Sequence, residues 1–121
     1  MQRTYYTSQP QPLEFVTRDF LRVRIDIRQE ENDSEPGPQF SALESVIYAP
    51  FSQNQIIETV FTDIFGNDYE NKLINEYNSA LLDVYSEDEK AQKIERYKEF
   101  LQERKALKEE IETICKEHNI N

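Results

Sequence analysis

The sequence predicts a mostly helical α+β domain: an N-terminal arm, a two-stranded antiparallel β-ribbon and three helices, the last of them long. Three observations carry this. Residues 21–28 alternate apolar and charged with period two. From Ser52 the apolar residues fall at helical spacing. After Gly66 the chain contains neither Gly nor Pro. At 121 residues the length suits one domain, which we place at 17–121 behind an arm of residues 1–16.

The arm is polar, carries Pro10 and Pro12 and lacks periodicity. It reads as an extended strap on a neighbouring subunit, anchored by Tyr5, Tyr6 and Phe15. The ribbon spans 19–48. In its first strand Leu21, Val23, Ile25 and Ile27 alternate with Arg22, Arg24, Asp26 and Arg28, the pattern of a half-buried strand. The charged face is either a solvated face with cross-strand ion pairs or a contact surface for an anionic partner. Guanidinium forks favour carboxylates over other anions here, because the chain supplies many acids of its own. The breaker cluster Glu30–Pro38 follows, with Pro36-Gly37-Pro38 unable to sit in a helix or central strand. Its acids lack the ligand spacing of a helix-loop-helix calcium site. Ala42–Tyr48 supplies the second strand. A lone ribbon is marginal in water, so it must pack on the helices or join a partner's sheet edge.

Ser52 with Gln55 three residues on starts a helix over 52–65, which Gly66 ends. Asn67 opens a second over 68–84, whose stripe includes Tyr69, Leu73, Tyr77, Leu81 and Leu82. Ser86 with Glu89 starts the third, running over 87–118. Such a helix is about 48 Å long, whereas a compact chain of this size is roughly 35 Å across. The rod therefore overhangs, kinks or lies along a partner. Tyr97, Leu101, Leu107 and Ile111 are its expected contact residues, and Arg104 interrupts the apolar repeat.

Charge and composition exclude several functions. Acids outnumber bases 24 to 14, a net charge of -10, which argues against direct nucleic-acid binding. The single Cys115 forms no internal disulfide. With His118 it makes too poor a ligand set for zinc, and no metal or cofactor is expected. No apolar run is long enough to span a membrane, and the first residues lack a secretory signal. No phosphate loop, nucleophile elbow or marked carboxylate pair suggests an enzyme.

Three stretches carry a resemblance: Gln55–Phe61, Glu70–Asn78 and Tyr97–Lys108. Together they are similar to small accessory proteins from the tail and tail-fibre region of tailed bacteriophages. The resemblance covers about 65 residues. It implies a non-enzymatic virion structural or assembly protein, located in the virion or the host cytoplasm. Its partners would be other virion proteins or further copies of itself, and it brings no catalytic residues. The polar arm and the Arg-rich strand are not part of that pattern. The alternative is a small acidic inhibitor that mimics nucleic acid. Against mimicry, helix 87–118 interleaves ten acids with eight bases. A free-standing homo-oligomeric helical protein is a third reading.

Overall fold

The computed structural model describes residues 1–31 and 37–121. Its elements are β1 (Arg3–Tyr6), β2 (Leu13–Phe15), β3 (Phe20–Gln29), β4 (Phe40–Tyr48), α1 (Gln53–Phe65), α2 (Tyr69–Leu81) and α3 (Glu87–Glu117). The α+β class is as expected. Of the acids in the breaker cluster, Asp33 and Glu35 fall on residues 32–36, outside the described residues.

The β3–β4 hairpin is not a lone ribbon. β1 pairs with β4 and β2 pairs with β3, giving an antiparallel sheet in the order β1-β4-β3-β2. Residues 1–16 are thus part of the sheet and not a free arm. The physical reason is edge protection: two strands of nine and ten residues would otherwise expose both rows of backbone amides. At four and three residues, β1 and β2 are too short to show an alternation.

One face of the sheet is dry. Leu21, Val23 and Ile25 of β3 and Ile47 of β4 point to it and meet Ile56, Ile57 and Val60 of α1. The second wall of this core is the C-terminal half of α3, through Leu107, Ile111, Ile114 and Cys115. Period two survives only as far as Ile25. There a bulge inserts one residue: Ile25 pairs with Leu43, and Arg28 with Ser41. Asp26 takes φ 54°, a left-handed conformation that Asp tolerates better than most residues. Beyond it the faces exchange. Ile27 leaves the core face, and Arg28 moves onto the side that carries Leu43.

The helix starts follow the expected logic with two changes. Ser52 Oγ accepts from Gln55 N–H, and Ser86 Oγ from Glu89 N–H. The Gln55 side chain does not return the bond to Ser52; its Nε2 donates to the Tyr48 carbonyl. Asp68, not Asn67, stands before α2, and it makes no side-chain cap bond. Gly66 ends α1 with φ 84°, and its N–H reaches the Thr62 carbonyl, a backbone state open to glycine at no steric penalty. α2 stops at Leu81, short of the expected 84. Val84 N–H captures the Ser79 carbonyl, and Asp83 turns to φ 57°.

The length of α3 is absorbed by two successive layers. Its C-terminal half lies on the sheet and α1. Its N-terminal half packs against α2 as an antiparallel hairpin. Tyr97 stacks on Tyr77 at 4.8 Å, Lys93 pairs with Glu76, and Phe100 meets Tyr69 and Phe65 edge-on. Arg104, where the repeat breaks, sits over the Phe61 ring and faces Glu70. From Phe100 to Glu87 the hairpin extends about 20 Å beyond this junction. The helix therefore needs no partner to bury Leu107 and Ile111, contrary to expectation.

Ile111 is fully buried between sheet and helices. Ile111→Ala is expected to lower stability by about 2–5 kcal/mol, against less than about 0.5 kcal/mol for Leu82→Ala at the exposed hairpin end; urea unfolding measures both. Burial, with Glu112 nearby, holds the Cys115 thiol above its ordinary pKa. It should stay protonated and resist an aromatic disulfide reagent until urea opens the fold.

Candidate protein-contact surfaces

Three features outside the core can do chemistry or recognition: a groove at the bulge, an ion cluster on the far face of the sheet, and the tip of the helical hairpin.

The groove has a volume of about 1160 Å³. It lies between the bulged end of β3 and the outer side of α3. Its floor is apolar, with Ile25, Leu43, Ile64, Phe65, Leu107 and Ile114. One wall is acidic: Glu103, Glu110 and Glu117 recur every seven residues along α3 and so share a face. Asp26 and Arg28 close the sheet side, paired at 2.6 Å. Arg3 holds the bulge in place from two strands away. Its guanidinium reaches across β4 to bond Ser41 Oγ at 2.8 Å and Asp26 Oδ2 at 3.0 Å, and it also donates to the Asp26 carbonyl. Ser41 in turn donates to Glu30.

The far face carries Arg24, buried to 5% exposure. Its Nε donates to Glu44 Oε1 at 2.9 Å and to Tyr6 Oη at 3.2 Å, and its Nη1 donates to the Gln11 carbonyl. The guanidinium also lies over the Tyr6 ring, 5.2 Å from the centroid. Burial works against the Arg24 charge, yet the hydrogen bonds to Glu44 and Tyr6 hold its pKa above the ordinary value. Burial and the bond to Glu44 push the Tyr6 hydroxyl up. Arg24 is thus a fastener that ties β1 and the 7–12 crossover to β3 and β4. It is not available to a partner, as the sequence suggested it would be.

The other expected contact residues divide. All three arginines meet carboxylates of their own sheet: Arg22 with Glu14, Arg24 with Glu44 and Glu14, Arg28 with Asp26. They do not form one face, because the bulge sends Arg28 to the helix side. Tyr6 is engaged with Arg24, Leu107 and Ile111 are core, and Tyr97 is stacked on Tyr77. Tyr5, Phe15 and Leu101 remain exposed, with Phe15 edge-on to Phe51. The Cys115 thiol is buried, and the His118 imidazole Nδ1 donates to the Ile114 carbonyl. Sequence reasoning missed the groove and the hairpin tip. The seven-residue spacing of Glu103, Glu110 and Glu117 was a readable signal. The tip was hidden because Leu81 and Leu82 continue a helical stripe that the chain abandons.

At that tip Leu81, Leu82 and Val84 are exposed, Leu82 at 77% and Val84 at 69%. Asp83 beside them is paired with Lys90 at 2.7 Å. Among the described residues, no helix is long and apolar enough to cross a membrane.

Comparison with protein-family models, curated proteins and solved structures returns no match for the chain.

Removing Arg24 strands a largely covered carboxylate and a phenol. Arg24→Ala should therefore lower stability by about 3 kcal/mol or more, whereas Arg22→Ala, an exposed pair, should change it by less than about 1 kcal/mol. Chemical denaturation separates the two.

Proposed function

We propose that the chain works by protein–protein contact, as a non-enzymatic structural or assembly protein of the tailed-phage accessory type. The observation that carries this reading is the hairpin tip. Three large apolar side chains, consecutive but for Asp83, stand exposed at the far end of a helical arm. Each would gain about 1.5–3 kcal/mol on full burial, and contiguous exposed apolar surface of this kind marks interaction sites. The arm is suited to reach: it extends about 20 Å past the point where α3 leaves the body. Its own faces are already satisfied by Tyr77–Tyr97 stacking and the Lys93–Glu76 pair, which leaves the tip as its contact element. The partner is another virion protein or a second copy of the chain.

The charge distribution supports this reading over nucleic-acid mimicry. The acids of α3 are interleaved with bases, and Glu112 is already paired with Lys108. A mimic needs a nearly pure acidic face.

The test is co-purification of the chain with the products of its flanking genes, together with light scattering of the chain alone. A complex or a defined oligomer is expected. Changing both Leu82→Asp and Val84→Asp should abolish it while moving stability by less than about 1 kcal/mol. A monomer that binds none of those products overturns the reading.

A further inference from the structure

We propose that the groove beside α3 is a strand-addition site for an extended segment of a partner protein, of the pattern basic-x-apolar-x-basic. This rests on the reading that the chain acts through protein contact, and it concerns a surface separate from the hairpin tip.

The first support is an open ladder. β3 is ten residues long, yet β2 pairs with it only at Leu21, Arg22 and Val23. One further bond, Arg24 N–H to the Pro12 carbonyl at 2.8 Å, ends the pairing. Pro12 has no N–H to extend it, and the preceding Gln11 carbonyl is taken by Arg24 on the far face. From Ile25 to Gln29, therefore, no strand among the described residues covers this side of β3. Glu30 N–H donates across to the Gln39 carbonyl, just before β4. Amides alternate sides along a strand, so Gln29 and Ile27 present theirs to the open edge. At the bulge, Asp26 N–H has no strand partner and reaches Glu110 Oε1 of α3 at 3.4 Å.

The second support is the groove that the open edge borders. About five residues of strand, roughly 17 Å, fit along Ile25–Gln29. Side chains on the helix side of an added strand would lie over Ile64, Phe65, Leu107 and Ile114. A central apolar side chain fills that floor. Its neighbours two positions either way face the acidic wall. Glu103, Glu110 and Glu117 span about 21 Å along α3, and among the described residues no cation is within ion-pair distance of any of them. Lys or Arg at those positions would lay an aliphatic stem on the floor and place its charge at the wall. Backbone bonds would give affinity and the alternate side chains specificity.

The test uses the full chain labelled with ¹⁵N and ¹³C-methyl groups, titrated with acetylated, amidated heptapeptides Thr-Lys-Thr-Φ-Thr-Lys-Thr in which Φ is Val, Leu or Phe. Saturable shifts are expected at the Asp26, Ile27 and Gln29 amides and at the Leu107 and Ile114 methyls for at least one of the three. Glu in place of both Lys should weaken binding at least about tenfold. N-methylation of alternate peptide amides should weaken it similarly in one register and leave it unchanged in the other, with the protein unaltered. Glu103→Gln with Glu110→Gln and Glu117→Gln, all exposed, should reproduce the charge effect without unfolding the chain. No saturable shifts with any of the three peptides overturn the proposal. So do shifts confined to Leu82 and Val84, or binding indifferent to N-methylation in both registers. Those outcomes leave the role of the hairpin tip standing, because its own test uses other residues.

Discussion

A single dry interface organises the molecule: one face of a four-stranded sheet against α1 and the C-terminal half of α3. Leu21, Val23 and Ile47 from the sheet, Ile56 and Val60 from α1, and Ile111 and Cys115 from α3 lie at or near zero exposure there. Among the described residues no helix packs on the opposite sheet face, where Tyr48 and Val46 are exposed. The same interface decides the fate of α3. Only its second half is needed to cover the sheet, and the first half becomes an arm stabilised by α2.

The sequence made parts of this plain for identifiable reasons. Helix starts at Ser52 and Ser86 were legible because capping is local chemistry: one hydroxyl, one amide, three residues apart. The β3–β4 hairpin was legible because apolar and charged residues alternate along β3 and Leu43, Val46, Ile47 and Tyr48 give β4 its bulk. The edge strands were not, since four and three residues cannot establish a period, and their pairing is decided by the unmet amides of β3 and β4. Nor could the sequence show that Arg28 departs from the face of Arg22 and Arg24. The bulge that moves it is held by Arg3, more than twenty residues away, through the Asp26 carboxylate and carbonyl.

The bulge links the local and the functional levels. Without it, β3 would continue as a regular strand, Ile27 would join the core, and Arg28 would face away from α3. With it, the sheet side of the groove becomes charged while the floor stays apolar. Bulges commonly re-aim side chains and end pairing in this way. Here both effects occur within four residues, and Pro12, just before β2, stops the neighbouring strand at nearly the same level.

Both edges of the sheet come from one short stretch of chain. Residues 3–6 close the β4 side, residues 13–15 close part of the β3 side, and residues 7–12 carry the chain from one side to the other. The two caps are therefore not independent. A protease cut within the crossover would untie the first cap from the second, and loss of the whole stretch would bare both long strands in one event. The exposed hairpin would then offer two templates for edge-to-edge growth. Solubility of the body thus depends on the integrity of its first fifteen residues, with the buried Arg24 guanidinium as the rivet that keeps them seated.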